Sequence, residues 1–573
     1  MDNNFKYKVN PNQSKYDYML ENSKNNMNNI ALTFEDRKIS YEEMFESIEL
    51  YAKMLYKKGI RKGDLIGICA LNTPESVYLL YALNKIGAVV IGYSPFDSKE
   101  KIKKDIELTM PKMVITTDYS YKNFHELEKS LNFSTILYSP LESSNNWKMK
   151  LGYNLLQIKN GNFSLAKDKR LSHLLKMNYD GMILPDTPYI DGELSDIMFT
   201  GGSSGVHKGV DLNDYGLNAS LEGMKALVED GFYNEKAYLG QIPFGHMAFG
   251  RSILHIALTN NMTFALTLKA LPNDFYDELV RTKANAASGG PPHWTSLIEK
   301  KNGVFVPKST LKPNSLTNLE VTFSGGEAKK EATEDAINEA FAYCGSNAKL
   351  GDGLGATETW GPNILNFANH YKKGMIGVPL ANMQVKLVDP ETNNEVSRGE
   401  RGVLFLSGPS VMMGYHNNKT ETDKVISYDS NGQKWLNLGD YLQEENGFYR
   451  YVGRQKRNFV SGCDNIYPEQ IEELLVTLPE IREVVVTAIP DDFLQFIPSY
   501  HISLYTDKIN YKELEEKINN IITINVGKSA LPGKINYTVE PLVRMTNSKI
   551  DIEYYKNIDQ NNDCKELTLS KIK

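Results

Sequence analysis

The stretch Ser195-Asp196-Ile197-Met198-Phe199-Thr200-Gly201-Gly202-Ser203-Ser204-Gly205-Val206-His207-Lys208-Gly209 decides how this chain is read. Ser195 to Phe199 reads as a strand, and the ten residues from Thr200 carry four glycines, three hydroxyls and one lysine. A glycine-rich loop leaving a strand turns successive backbone N–H groups toward one anion, and the lysine adds a cation, which suits a polyphosphate. Spacing excludes two common cradles. A Walker loop needs Gly-Lys-Ser/Thr in succession, and a dinucleotide loop needs G-x-G-x-x-G opening a helix. A surface turn has the same composition, so the loop alone leaves that reading open.

Working outward, residues 30 to 95 alternate helix and strand signals, the pattern of a sheet covered by helices. Ser40 and Glu43 form a capping box, and Met44, Ile48, Tyr51 and Leu55 step along one helical face. Asp64 to Cys69 reads as a buried strand, Thr73-Pro74-Glu75 opens a second helix, and Ala88 to Ile91 is the next strand, so parallel crossovers are expected. Beyond Asp440 the pattern predicts a strand at Phe448 to Val452, a charged hinge at Gly453 to Arg457, and a compact region with its own core. That region reads as a helix Pro468 to Leu478, strands Glu483 to Ala488 and Ser499 to Tyr505, and a helix Tyr511 to Ile522. The expected class is α/β: a large N-terminal domain of several subdomains with helix-covered sheets over 1–453, and a small mobile α+β domain over 454–573, hinged near Lys456.

At 573 residues the chain exceeds one hydrophobic core, and 41% hydrophobic with 24% charged residues excludes wholesale disorder. A net charge of −7 without a basic stripe argues against a nucleic-acid partner. No window reaches about 18 uninterrupted apolar residues, so no transmembrane segment is expected, and the N-terminus lacks a signal-peptide core. A cytoplasmic location is expected. Cys69, Cys344, Cys463 and Cys564 are widely spaced without C-x-x-C, which suits reduced thiols.

The loop resembles the T-S-G-T-T-G-x-P-K-G signature of the adenylate-forming enzymes: acyl- and aryl-CoA ligases, nonribosomal peptide adenylation domains and luciferases. Six further segments follow in that family's order between about residues 15 and 556. Pro243-Phe244-Gly245-His246 resembles its acid-pocket motif, Ser324-Gly325-Gly326-Glu327 its adenine-binding strand end, and Gly353-Leu354-Gly355-Ala356-Thr357-Glu358 its metal-site motif. The run from Gly399-Glu400 through Gly414-Tyr415 to Gly439-Asp440 precedes the hinge; Gly453 to Pro468 is similar to the hinge and thioester strand, and Asn547-Ser548-Lys549-Ile550-Asp551 to the terminal N-G-K-I-D.

The resemblance implies that a carboxylate attacks the α-phosphorus of ATP, that pyrophosphate leaves, and that a thiol captures the acyl-adenylate. Lys208 with Thr200, Ser203, Ser204 and Gly205 would then hold the departing phosphates. Gly325, Gly326 and Glu327 would bound the adenine, Asp440 would accept the ribose hydroxyls, and Arg454 would lie beside ribose or phosphate. Glu358 would bind Mg2+, with Thr357 near the α-phosphate and His246 beside the reacting carboxylate. Lys549 would arrive by domain closure, and Gly462 would let a pantetheine arm pass close to the backbone.

His207 replaces the family's loop proline, Leu354 its adenine-stacking aromatic, Ser548 the glycine before the terminal lysine, and Gly201 a hydroxyl. None removes a charge the chemistry needs. No aspartate follows Phe244, which disfavours an α-amino acid and favours a fatty or aromatic acid. The segment Gly289 to Trp294, with Met247 and Phe249, is expected to line an apolar pocket. The motifs are closest to acyl-CoA ligases, yet they leave open both CoA and the phosphopantetheine of an acyl carrier protein as acceptor. A catalytically weak nucleotide- or acyl-binding homologue is the third alternative.

Overall fold

The computed structural model describes residues 9–159, 169–200, 208–227, 234–301, 304–325, 331–367, 370–455, 457–461, 464–491, 494–545 and 549–560. Ser40 caps the helix Tyr41–Lys57 by accepting from Glu43 N, and the stripe Met44, Ile48, Tyr51 and Leu55 is buried along it. Thr73 caps Pro74–Lys85, which puts proline in the first turn, where its missing N–H leaves no bond unmade. These helices and Ala248–Thr259 share one core with residues from two sheets.

Among the described residues the first sheet has seven strands, in the order Gly414–Tyr415, Gly209–Leu212, Asp196–Phe199, Val89–Tyr93, Leu65–Cys69, Met113–Thr117 and Ser134–Tyr138. From Asp196–Phe199 to Ser134–Tyr138 the pairings are parallel, as expected of strands covered by helices on both faces. Asp196–Phe199 instead pairs antiparallel with Gly209–Leu212, so the glycine-rich loop joins a hairpin rather than opening a helix. The second sheet has nine strands among the described residues, with Val321–Ser324 between Ala286–Gly289 and Leu350–Ala356.

A third sheet, of five strands, ends with Lys434–Glu445 and Phe448–Arg454. The next strand, Phe459–Ser461, already belongs to another five-stranded sheet, which Pro468–Leu475 and Tyr511–Asn525 cover around a separate core. Its helices start where the periodicity put them, the first ending at Leu475 rather than Leu478 and the second running on to Asn525, and the strands Ile481–Asp491 and Gln495–Leu504 are longer than read. The two arginines of the connection face opposite ways: Arg454 pairs with Asp440 at 2.8 Å, and Arg457 pairs with Glu469 at 3.1 Å and with Glu472.

Candidate active site

The hairpin fixes both feet of the glycine-rich loop. Thr200 N donates to Lys208 O at 3.0 Å, so these two residues stand side by side where the strands part. Ser203, Ser204, Gly205 and His207 lie outside the described residues, as do Gly326, Glu327, Lys456, Gly462, Cys463 and Ser548. The Lys208 ammonium lies 2.5 Å from Glu421 and 4.6 Å from the ring centroid of Tyr415. Glu421 also pairs with Lys424, and these two lysines, Lys208 first, hold its carboxyl down at about 2.

Tyr415 links this lysine to the next motif. Its hydroxyl donates to Glu358 Oε1 at 2.8 Å, and Met412 N donates to Glu358 O at 2.7 Å. Burial, reinforced by Glu358, pushes the Tyr415 phenol well above its ordinary range, so it remains a donor. Glu358 sits in the short turn Thr357–Thr359 that follows Leu350–Ala356. Trp360 closes this turn at φ 59°, a left-handed conformation rare for a bulky residue. It is held there by Trp360 Nε1 donating to Asn213 O at 2.9 Å and by Ser252 Oγ donating to Trp360 O. Among the described residues no three metal-ligating side chains gather. A single carboxylate, buried here under Tyr415, nevertheless suits Mg2+, which keeps waters and takes substrate phosphates as its other ligands.

Leu354, Gly355 and Ala356 line one cavity with Asn363, Leu404, Leu406, Leu436, Leu438 and Asp440. Gly355 is required, because a β-carbon there would meet Gly361 O at 2.3 Å. Leu354 therefore stands on the same cavity as the buried Asp440. Asp440 Oδ1 accepts from Arg454 Nε at 2.8 Å, and Asp440 is the main cause that raises the Arg454 guanidinium above its usual range, with Glu358 adding to it.

His246 is placed by a network that sequence reasoning missed. Arg251, on Ala248–Thr259, donates through Nε to Phe244 O at 2.8 Å and through Nη2 to Gly245 O at 3.1 Å, which fixes the two residues before His246. Arg251 Nη1 donates to Asp196 Oδ1 at 2.6 Å, and Asp196 starts the strand that delivers Thr200. Lys15 completes the group, paired with Asp196 and, at 3.1 Å, with Asp214. All four charged side chains are 0–2% exposed. The loop rests on the neighbouring strand end: a β-carbon on Gly92 would lie 2.8 Å from Gly245 O and 2.9 Å from the His246 α-carbon. His246 Nδ1 is buried with no partner among the described residues. Burial pulls this imidazole down to about 4, against a smaller pull from Asp97, so it is neutral near pH 7. An uncharged ring with one unsatisfied buried nitrogen is poised for a hydrogen bond to a ligand.

Gly325 follows Val321–Ser324, and its N–H donates to Gly289 O at 3.2 Å. Phe249 packs on Phe323 at 5.4 Å and approaches Gly325, where a β-carbon would lie 3.9 Å from its ring. The expected apolar lining is corrected at one position. Trp294 is fully buried among Phe275 and Phe341 and donates to Phe323 O, so it belongs to the core. Lys549 stands in the C-terminal domain, where Lys549 O accepts from Met545 N at 2.8 Å. Thr200 is thus tied to Lys208, Lys208 to Glu358 through Tyr415, and Arg454 to Asp440 by a direct pair and to Glu358 by charge, while His246 is reached through Asp196 and Arg251.

A family model described as "AMP-binding enzyme" matches residues 20–416. A long-chain-fatty-acid–CoA ligase of Bacillus subtilis is 23% identical over 489 residues, covering 84% of each chain. A probable 4-coumarate–CoA ligase 2 of Dictyostelium discoideum is 24% identical over 495 residues, again with 84% of each covered. The crystal structure of the anthranilate CoA ligase AuaEII with anthranoyl-AMP superposes with a TM-score of 0.79 at 19% identity, over 96% of this chain and 98% of that one.

Proposed function

Because the chain belongs to the AMP-binding enzyme family, we propose that it joins a carboxylic acid to AMP at the expense of ATP and passes the acyl group to the thiol of CoA. The observation that carries this reading is the link from Lys208 through Tyr415 to Glu358, beside the Asp440–Arg454 pair. It gathers cations, a hard carboxylate and a diol acceptor where a nucleoside triphosphate needs all of them. That the curated relatives are named for a fatty acid and a coumarate supports a fatty or aromatic acid as substrate.

In the first step a carboxylate oxygen attacks the α-phosphorus, and the bond to the pyrophosphate oxygen breaks. Lys208 and Thr200 offset the charge building on the departing phosphates, Asp440 orients the ribose, and neutral His246 offers a hydrogen bond without a fixed charge that would immobilise the acid. Glu358 would hold Mg2+, which when bound neutralises phosphate charge. Lys549 reaches the α-phosphate when the C-terminal domain turns about Lys456, one of the two residues between the arginines Arg454 and Arg457, each tied to a different domain. In the second step the thiol sulfur, having given up its proton, attacks the acyl carbonyl, and the carbon–oxygen bond to AMP breaks. Pantetheine would pass Gly462. The free, buried Cys69 and Cys344 fit a cytoplasmic setting, and no described helix is long and apolar enough to cross a membrane.

The test is to supply ATP, a panel of fatty and aromatic acids, and either CoA or a phosphopantetheinylated carrier protein. An acyl-CoA is expected. Thioester on the carrier alone would move the chain to the freestanding adenylation enzymes, and ATP binding without either product would mark a nucleotide-binding homologue.

A further inference from the structure

The helix Trp147–Lys159 follows the edge strand Ser134–Tyr138 and presents an apolar face that the reaction above does not use. Trp147, Leu151, Leu155 and Ile158 are 66%, 51%, 57% and 53% exposed. They step by four, four and three, which stacks them in one stripe. The helix is held to the molecule through Gln157, which is buried, and Tyr153, which packs against the main core and donates its hydroxyl to Asp118, while Met149 and Leu156 beside them remain 37% and 51% exposed. Apolar side chains exposed singly are ordinary, but a stripe of four on a thirteen-residue helix is a patch.

Charge selects the occupant. The helix carries Lys148, Lys150 and Lys159 and no acidic residue, in a chain whose net charge is −7. Lysines flanking an apolar stripe with a tryptophan at one end are the composition of a helix lying in a membrane interface, where the ammonium groups reach lipid phosphates and the indole sits at headgroup depth. We infer that Trp147–Lys159 is a docking surface for an anionic lipid bilayer. The inference does not depend on the reaction proposed above.

The protein carries its own probe. Of its four tryptophans, Trp294, Trp360 and Trp435 are buried, so Trp147 is the exposed one. Full-length protein mixed with phosphatidylcholine vesicles containing phosphatidylglycerol is expected to cosediment with them and to show blue-shifted tryptophan emission, whereas pure phosphatidylcholine gives neither. Leu151→Glu with Leu155→Glu abolishes both signals, and Lys148→Ala with Lys159→Ala weakens partitioning by about thirtyfold. Both doubles keep the wild-type melting temperature, since the altered side chains are exposed. Unchanged emission with anionic vesicles overturns the inference. So does vesicle binding that survives the glutamate double, or a concentration-dependent dimer, without vesicle binding, that the glutamate double dissolves.

Discussion

The Lys208 ammonium is paired with the Glu421 carboxylate at 2.5 Å, so the cation assigned to the phosphates already has an anionic partner. With its carboxyl held down at about 2, Glu421 is ionised throughout the working range and must yield when a polyphosphate arrives. Exchanging one anion for another lowers the net gain of binding. Glu421→Gln is therefore expected to lower KM for ATP by about two- to fivefold with kcat nearly unchanged, as steady-state kinetics would show. A raised KM would mean that Glu421 presents the lysine rather than restrains it.

Arg251 carries two loop carbonyls and one strand carboxylate at once. Arg251→Met leaves Phe244 O and Gly245 O without donors and shifts the balance of the buried Lys15–Asp196–Asp214 group. Removing one partner of a buried pair costs about 3–5 kcal/mol. Urea denaturation is expected to show a loss of that order, and the acid KM is expected to rise because the His246 loop is released.

The His246 imidazole supplies a pH signature. Above the ordinary value of 6.5 it is neutral in both states and contributes nothing; below 6.5 the unfolded chain takes a proton that the folded site refuses until about 4. Stability therefore falls as pH drops from 6.5 to 4, by up to about 3 kcal/mol from this group, and levels off below. Urea midpoints compared at neutral and acid pH are expected to fall less in His246→Gln than in the wild type.

Lys549 separates the two half-reactions. Lys549→Ala is expected to slow acyl-adenylate formation by at least about a hundredfold, while thioester formation from supplied acyl-adenylate and CoA remains near wild type. Equal loss in both halves would remove Lys549 from the first step.

Much of the fold is legible locally. Ser40 with Glu43 and Thr73 with Pro74 mark helix starts because capping is satisfied within four residues, and these helices begin there. The C-terminal elements are equally legible, their periodicity being that of one small core. A contiguous motif such as Thr200 to Lys208 can be picked out along the chain, and the structure shows its two feet side by side. Legibility fails where partners are remote. Asp196 reads as one residue of a strand, and its meaning comes from Arg251, 55 positions away, and Lys15, 181 away. Glu421 lies 213 positions from Lys208. A signal was present: Asp196 sits beside the apolar Ile197, Met198 and Phe199, and Arg251 in the apolar run Ala248–Thr259, and a charge in such surroundings calls for a partner. Trp294 misled for the converse reason, since an aromatic near a glycine-rich strand end suits a pocket wall and a core equally.

The central claim is that this chain forms an acyl-adenylate, and ATP–pyrophosphate exchange reads that step without the thiol acceptor. Labelled pyrophosphate is expected to enter ATP only when a matching fatty or aromatic acid is present, and Lys208→Ala is expected to abolish the exchange. Absence of exchange across fatty, aromatic and amino acids, in protein shown to bind ATP, would contradict it.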